Sequence, residues 1–193
     1  MSPGAARLLP AFLVALLTAC ATLPEPAPQA SGAERTLTGR LSVHYQAARE
    51  GRDETVFAGF EWSENAGAVH LKLLDPLGQS LAVIDAAPGA ATLTLRDGQH
   101  FTGATPEELT AAALGWRLPL AGLGAWLDGH AVHGAPITVD ADGVRRLNED
   151  GWHIQFSGVI GATDVRPRHI DLSYGGPGPT IDMRIVVDER SGA

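Results

Sequence analysis

The chain has 193 residues, which is enough for one domain with a sizeable core. It carries 14 Lys and Arg residues against 22 Asp and Glu residues, so its formal net charge is −8. An acidic chain lacks the basic surface that phosphates require, which excludes a nucleic-acid partner and electrostatic docking to anionic lipid. Any contact with a membrane must therefore be apolar.

The first 19 residues predict a secretory signal peptide. A single positive charge at Arg7 precedes the apolar run 8–17, which is too short to span a bilayer. The run ends in Leu17-Thr18-Ala19-Cys20, which resembles the lipobox of bacterial lipoproteins. The resemblance implies that Cys20 becomes the first mature residue and carries lipid. The alternative is an ordinary signal peptide with an incidental cysteine.

Residues 20–34 predict a lipidated, flexible tether, because they are rich in Pro, Ala and Ser and show no apolar period. Cys20 is the only cysteine, so no intrachain disulfide can form. Lipoproteins that stay at the inner membrane typically have Asp after the lipidated cysteine. Ala21 stands there instead, so the resemblance points to the outer membrane. Residues 35–193 are predicted to form a single β domain.

Most of this domain alternates apolar and polar residues, which predicts β-strands. Strands are predicted in residues 36–46, 56–62, 69–73, 81–86, 92–96, 137–140, 144–148, 152–157, 169–173 and 181–188, of which residues 81–86 are apolar on both faces up to Asp85. Roughly ten or eleven strands with one helical interruption imply a single antiparallel sheet that must curl or close. The curled sheet is expected to be polar outside and apolar inside.

The segment Asp75-Pro76-Leu77-Gly78 joins two of these strands and predicts a type I turn. Leu77 then lies near the apex, where small polar residues are usual because water solvates the backbone there. Leu77 either folds back onto its own sheet or contacts an apolar partner such as a membrane or a lipidated protein. The turn by itself leaves both interpretations open.

One helical block interrupts the strands. Thr105 is the predicted N-cap of a first helix, because Pro106 follows it and Glu108 occupies the third helical position. Gly115 is predicted to end this helix. Leucines and tryptophans at helical spacing in residues 116–129 predict a second short helix. This block is the only segment available to cover the apolar face of the sheet.

The core beneath the helical block is either filled or hollow. Filled is the default for a protein interior. The inward residues lean to Leu, Ile and Val, and Pro119, Gly122 and Gly124 interrupt the cover, which favours a cavity. The candidates for lining it are Leu41, Val43, Phe60, Trp62, Leu71, Leu73, Leu93, Leu95, Trp116, Leu118, Leu123, Trp126, Trp152, Ile154, Ile170, Leu172, Met183 and Ile185.

The sequence lacks the motifs of common enzyme classes. It contains no Gly-x-Ser-x-Gly elbow, no phosphate-binding Gly-rich loop and no convincing pair of catalytic carboxylates. His130 and His133 form the only close histidine pair, and no third ligand follows nearby, so loop residues are predicted there and no metal site. The chain is interpreted as a binding protein without a cofactor, not as an enzyme.

An ordered set of short motifs runs from about residue 35 to residue 187. The motifs are Gly39-Arg40-Leu41-Ser42-Val43, Phe60-x-Trp62, Leu73-Leu74-Asp75-Pro76-Leu77-Gly78-Gln79, Pro88-Gly89, Leu95-x-Asp97-Gly98, Pro106-Glu107-x-Leu109, Leu114-Gly115-Trp116-x-Leu118-Pro119-Leu120, Trp126-Leu127-x-Gly129 and Gly151-Trp152-x-Ile154. Behind a lipobox, this set resembles the LolB family, the outer-membrane lipoprotein receptors of Gram-negative bacteria.

The resemblance implies an unclosed antiparallel β-barrel with short helices covering an apolar cavity for acyl chains. It implies a lipid-anchored protein that faces the periplasm, accepts lipoproteins from a LolA-type carrier and releases them into the inner leaflet of the outer membrane. In that family an exposed leucine on a protruding loop serves the membrane step. Leu77 is the matching position, with Pro76 and Gly78 beside it. We also expect a monomer.

Three other interpretations were weighed against this one. A LolA-like periplasmic carrier shares the architecture but should have an ordinary cleavage site in place of the lipobox. A structural lipoprotein of the cell envelope would have a filled core. A lipid-modifying hydrolase needs a nucleophile, which the sequence does not offer.

Overall fold

The computed structural model describes residues 34–46, 52–159 and 166–192, so the predicted signal peptide, Cys20 and nearly all of the predicted tether lie outside the described residues. The strands are β1 (Arg35–Gln46), β2 (Asp53–Asn65), β3 (Ala68–Leu74), β4 (Ser80–Ala87), β5 (Ala90–Leu95), β6 (His100–Gly103), β7 (Thr138–Val139), β8 (Arg145–Glu149), β9 (Trp152–Val159), β10 (Pro167–Tyr174) and β11 (Ile181–Ser191). The helices are α1 (Pro106–Leu114) and α2 (Leu120–Leu127). Within this part of the chain, no helix is long and apolar enough to cross a membrane.

The eleven described strands form one sheet in the order β6-β5-β4-β3-β2-β1-β11-β10-β9-β8-β7. Each neighbouring pair is antiparallel. The edge strands β6 and β7 do not pair with each other, so over the described residues the sheet is not closed. This confirms the prediction of an unclosed antiparallel barrel with a small helical insert.

Alternating side chains give the sheet an apolar inner face and a polar outer face. In the centre of the sheet, Leu41 of β1 lies between Ala58 of β2 and Ile185 of β11, and all three are buried. Arg40 precedes Leu41 and therefore lies on the outer face, where its guanidinium forms an exposed ion pair with Asp188 at 3.0 Å. The period of two in the sequence thus predicts correctly which residues point inward.

The strand ends form two opposite rims. We call one the Leu77 rim: it contains the end of β1, the β3–β4 turn at residues 75–79 and the β5–β6 turn at residues 96–99. The other, the Arg35 rim, contains the start of β1 and the β2–β3 turn at residues 66–67. The twelve residues of β1 span about 36 Å, whereas β3 ends level with Arg40, where the Leu77 turn begins.

Helix α1 begins and ends at the predicted residues. The Thr105 side chain accepts a hydrogen bond from the backbone N–H of Glu108 at 3.3 Å, as an N-cap does. Gly115 ends the helix in the left-handed conformation, with φ of 81°, which glycine adopts without strain.

Helix α2 is continuous, which differs from the expectation that glycines interrupt the cover. It runs through both Gly122 and Gly124. A Cβ atom on Gly122 would lie 2.6 Å from the ring of Trp126, so this glycine gives the ring the space to pack against the helix backbone. The glycine therefore contributes to close packing here and does not loosen the cover.

Candidate ligand cavity and its rim

An apolar cavity of about 260 Å³ lies between the sheet and the helical block. Its floor comes from β1 to β5 and β11, and its cover comes from the end of α1, the connector (residues 115–119) and α2. The lining residues are Leu41, Val43, Tyr45, Val56, Ala58, Phe60, Trp62, Leu71, Leu73, Leu81, Ala82, Leu95, Leu114, Trp116, Leu118, Leu123, Leu127, Met183 and Ile185. None of them carries a formal charge, so the cavity suits hydrocarbon.

Twelve of the eighteen residues proposed from the sequence to line a cavity are brought together in this lining. They are Leu41, Val43, Phe60, Trp62, Leu71, Leu73, Leu95, Trp116, Leu118, Leu123, Met183 and Ile185. The other six are buried but do not line the cavity. They are Leu93, Trp126, Trp152, Ile154, Ile170 and Leu172.

Trp126 belongs to α2 itself, and the other five residues lie on strands where the helices already pack. Leu93 lies on β5, where α1 packs, and is fully buried. Helix α2 packs on β10 and fills the space over β9 and β10 with aromatic rings. The ring centroids of Trp126 and Trp152 are 6.2 Å apart, and those of Trp152 and Tyr174 are 5.1 Å apart. The rings therefore fill the interior of this half, and the space beside them is a more open groove of about 270 Å³ whose lining, unlike that of the cavity, includes charged side chains.

A buried carboxylate, Glu149, holds α2 in that position. It is only 6% exposed and accepts hydrogen bonds from Trp126 Nε1 at 2.8 Å, from the backbone N–H of Val132 at 2.9 Å and from that of His133 at 2.7 Å. Burial opposes ionisation, but these donors outweigh it and keep the pKa of Glu149 below its ordinary value. The sequence analysis missed this residue, although the period of two places it on the inward face with Leu147.

Ion pairs also hold the C-terminal end of α2. Asp128, at its C-terminus, pairs with Arg35 of β1 and with Arg190 of β11, whose Nη1 lies 2.9 Å away. Arg190 also donates a hydrogen bond to the carbonyl oxygen of Leu127 at 2.7 Å, where cations stabilise a helix C-terminus. These residues are far apart in the sequence, so no local pattern could have predicted the cluster.

The cavity reaches the Leu77 rim. Val56, a lining residue near the start of β2, is 39% exposed, and it faces Val43 near the end of β1. The rings of Tyr45 and Trp116 lie beside it with centroids 5.9 Å apart, and the Tyr45 hydroxyl donates to Glu54 at 2.9 Å. Burial and Glu54 raise the pKa of Tyr45, so its hydroxyl stays neutral near pH 7. These residues form the mouth of the cavity.

The turn at residues 75–79 is held by its own hydrogen bonds. The Asp75 carboxylate accepts from the backbone N–H groups of Leu77 and Gln79, both at 2.9 Å, and pairs with Arg96. The Gln79 bond is the largest of the effects that lower the pKa of Asp75. The backbone N–H of Gly78 donates to the Asp75 carbonyl oxygen at 2.9 Å, as a type I turn requires.

Leu77 projects from this turn into solvent and is 83% exposed. The interpretation that Leu77 folds back onto its own sheet is therefore wrong. Because hydrogen bonds within the turn fix its backbone, the Leu77 side chain stays exposed, and none of the described residues covers it.

Of the two histidines considered as metal ligands, His133 lies near an acidic group. His133 Nε2 lies 3.3 Å from the Asp150 carboxylate, and both side chains are exposed. Over residues 34–46, 52–159 and 166–192, no group of three or more His, Cys, Asp or Glu side chains is arranged to hold a metal ion.

Comparison with known proteins places these features in a family. The family model described as "Outer membrane lipoprotein LolB" matches residues 34–189. A relative named outer-membrane lipoprotein LolB from Cupriavidus necator is 37% identical over 185 residues, which cover 91% of this chain and 91% of the relative. Relatives of the same name from Cupriavidus pinatubonensis and Bordetella pertussis are 39% and 30% identical, covering 90% and 92% of this chain and 88% and 89% of their own lengths.

Among solved structures, a LolA superfamily protein from Nitrosomonas europaea aligns with 85% of this chain and 86% of its own, at 8% identity and a TM-score of 0.38.

Proposed function

This chain belongs to the LolB family of outer-membrane lipoproteins, and we propose that it accepts lipoproteins from a LolA-type periplasmic carrier and inserts them into the inner leaflet of the outer membrane. As a member of that family it is a lipid-anchored protein of the outer membrane that faces the periplasm. The observation that carries the proposal is the uncharged cavity of about 260 Å³, which opens at the rim where Leu77 projects.

The cavity binds acyl chains of the incoming lipoprotein. Each buried methylene is worth about 0.8 kcal/mol, so a long chain gains a large part of its binding free energy from an apolar lining alone. The volume of about 260 Å³ is just below the roughly 300–1,000 Å³ of pockets that enclose drug-sized ligands. It therefore receives part of one chain as it stands and must widen to take more.

The connector is the part of the cover that moves when the cavity widens. Helix α2 is fixed through Trp126 and Asp128, as described above. The connector is held by a hydrogen bond from the Leu118 backbone N–H to the Thr110 hydroxyl at 2.9 Å. A cover that can move also lets the acyl chain leave. This matters because no nucleotide drives the transfer, so the free energy of the acyl chain must fall at each step, from carrier to receptor to bilayer.

Cys20 carries the lipid anchor, and residues 20–34 join it to the domain, which acts as a monomer. The anchor holds the protein at the membrane and takes no part in acyl transfer. A mass measurement on the mature chain distinguishes this arrangement from that of a soluble carrier. The carrier would lack the mass of the acyl groups on its N-terminal residue.

Leu77 serves the membrane step, as the matching position in the family implies. Burying one leucine side chain gains only about 1.5–3 kcal/mol, which is too little to anchor a domain. It is enough to bias which rim of a tethered domain meets the bilayer. The mouth of the cavity lies at the same rim, so the acyl chain leaves the cavity close to the lipid.

The test is to fill the cavity. Ala58→Phe places a ring into the lining from a residue that is 5% exposed, and we expect acceptance of lipoprotein from the carrier to fall at least tenfold while the variant stays folded. Ala91→Val is the control, because Ala91 is 3% exposed on β5 but does not line the cavity. Wild-type acceptance by the folded Ala58→Phe protein would overturn binding in the cavity, and a wild-type protein that accepts no lipoprotein would favour a structural lipoprotein.

A further inference from the structure

We infer that the protein contacts the bilayer through an apolar corner made of Phe57, Leu74 and Leu77, and not through Leu77 alone. The inference rests on the proposed function, because it extends the membrane step assigned to Leu77. Phe57 is 66% exposed, the largest exposed fraction after Leu77 among the large hydrophobic residues that the structure describes.

The strand register places Phe57 beside the Leu77 turn. Gly59 of β2 pairs with Leu74, the last residue of β3, and a Cβ atom on Gly59 would lie 3.6 Å from the Leu74 Cβ atom. The two positions therefore share the outer face of the sheet. Phe57 lies two residues nearer the Leu77 rim on that face, where β3 has ended and the turn begins.

The apolar corner continues the mouth of the cavity. Val56 lines the mouth on the inner face, and Phe57 follows it on the outer face of the same strand. An acyl chain that leaves the cavity past Val56 therefore meets the corner next. Single exposed apolar residues are common on soluble proteins, but an exposed Phe and Leu side by side at a cavity mouth form a patch of the kind that marks an interaction site.

The partner that this corner fits is a lipid bilayer, because the anchor keeps one within reach. The fifteen residue steps from Cys20 to Arg35 can extend to at most about 50 Å. The domain begins at the Arg35 rim, and Phe57 pairs with Ser42 of β1, which lies seven residues or about 23 Å from Arg35 along the strand. The segment is thus long enough for the rim opposite its attachment point to face the membrane that holds Cys20.

Charge is consistent with an apolar contact. Asp75, the acidic group within the turn, is paired with Arg96, and on the neighbouring outer face Lys72 pairs with Glu61 at 3.4 Å. The net charge of the chain is −8, so anionic lipid would not attract the corner. The contact should therefore persist when salt is raised.

The experiment uses the mature, lipid-anchored protein on vesicles of phosphatidylethanolamine and phosphatidylglycerol that contain nitroxide-labelled acyl chains. Cys20 is the only native cysteine and is occupied by lipid, so Phe57→Cys, Leu77→Cys and Val139→Cys each provide one free thiol for a fluorophore. Val139 is the matched control: it is 65% exposed and lies on the edge strand β7. We expect quenching at positions 57 and 77 to exceed that at position 139 at least threefold.

The outcomes separate this inference from the proposed function. If quenching is strong at position 77 but no stronger at position 57 than at position 139, the inference is overturned and the membrane role of Leu77 is retained. Equal, weak quenching at all three positions overturns both. A label at position 57 that the lipid leaves unquenched but that the added carrier shields also overturns the inference, because the corner would then be a protein-docking surface.

The length of the segment before the domain gives an independent test. Deleting residues 22–33 leaves three steps from Cys20 to Arg35, on the order of 10 Å, which is less than the distance of about 23 Å from Arg35 to the level of Phe57 along β1. We expect quenching at position 57 to fall to the level of position 139, and twelve Gly and Ser residues in place of the deleted ones to restore it. Unchanged quenching after the deletion would contradict the orientation on which the inference depends.

Discussion

The half of the sheet formed by β1 to β5 borders a cavity, whereas the half formed by β8 to β10 is filled. Both halves have the same alternating pattern and the same kinds of inward residue, so strand composition does not account for the difference. What differs is the cover. Helix α2 packs on β10 and is tied through Trp126 and Asp128, while the connector passes over the other half with Trp116 and Leu118 facing the space.

The hollow half and the filled half should therefore respond differently to the loss of a large side chain. Trp126→Ala removes a ring that is 1% exposed and packed, and it also leaves the buried Glu149 without one donor. We expect a cost of about 3–5 kcal/mol in the free energy of unfolding, with normal acyl binding by the folded fraction. Urea unfolding and a fatty-acid binding assay measure the two effects. An unchanged stability with weaker binding would place Trp126 in the site.

A matched pair of leucines compares the halves directly. Leu147 of β8 is 1% exposed in the filled half, and Leu71 of β3 is 2% exposed at the cavity. Leu→Ala substitutions cost about 2–5 kcal/mol, more where neighbours already pack tightly on all sides. We expect Leu147→Ala near the upper end and Leu71→Ala near the lower end, with only Leu71→Ala altering acyl binding. Equal costs in urea unfolding would mean that the cavity wall is packed like the core.

The sequence predicts the faces of the sheet and that the helical block covers the inner one, but not which part of that face α2 fills. Thr105 and Gly115 bound α1 through local hydrogen bonding and backbone geometry, so a short pattern is sufficient to predict them. Ile154 and Ile170 alternate as the cavity residues do, yet α2 fills the space above them, and that packing depends on contacts distant in sequence.

The ion pairs that fix α2 could not be predicted either, because they also join residues that are distant in the sequence. Arg35, Asp128 and Arg190 come together only when β1, α2 and β11 meet. Leu77 is an intermediate case: a local pattern predicts its turn, but its exposure depends on how all of the described strands and helices pack.

Glu149→Gln tests how firmly the filled half is fixed. The substitution keeps the shape but replaces a charged acceptor, and we expect a loss of about 1–3 kcal/mol near neutral pH. The pKa of Glu149 in the folded state lies below the ordinary value of 4.5, so its contribution is complete above that value and is lost as the pH falls through the lower, folded-state pKa.

The stability difference between wild type and Glu149→Gln should therefore shrink in acid. Unfolding by urea over a series of pH values from neutral to strongly acidic measures it. Other carboxylates titrate in both proteins, so the difference isolates Glu149. A difference that stays constant with pH would show that the charge of Glu149 contributes nothing.

The smallest expected effect on stability and the most direct test of membrane delivery come from the same substitution, Leu77→Glu. Leu77 is 83% exposed, so the fold and acceptance from the carrier should be nearly unchanged. Glutamate replaces favourable insertion with the cost of bringing a charge toward hydrocarbon, so release should be blocked. The measurement is a two-step assay on the purified variant, from carrier to receptor and then from receptor to liposome. The account predicts normal acceptance and little delivery, and delivery at the wild-type rate would contradict it.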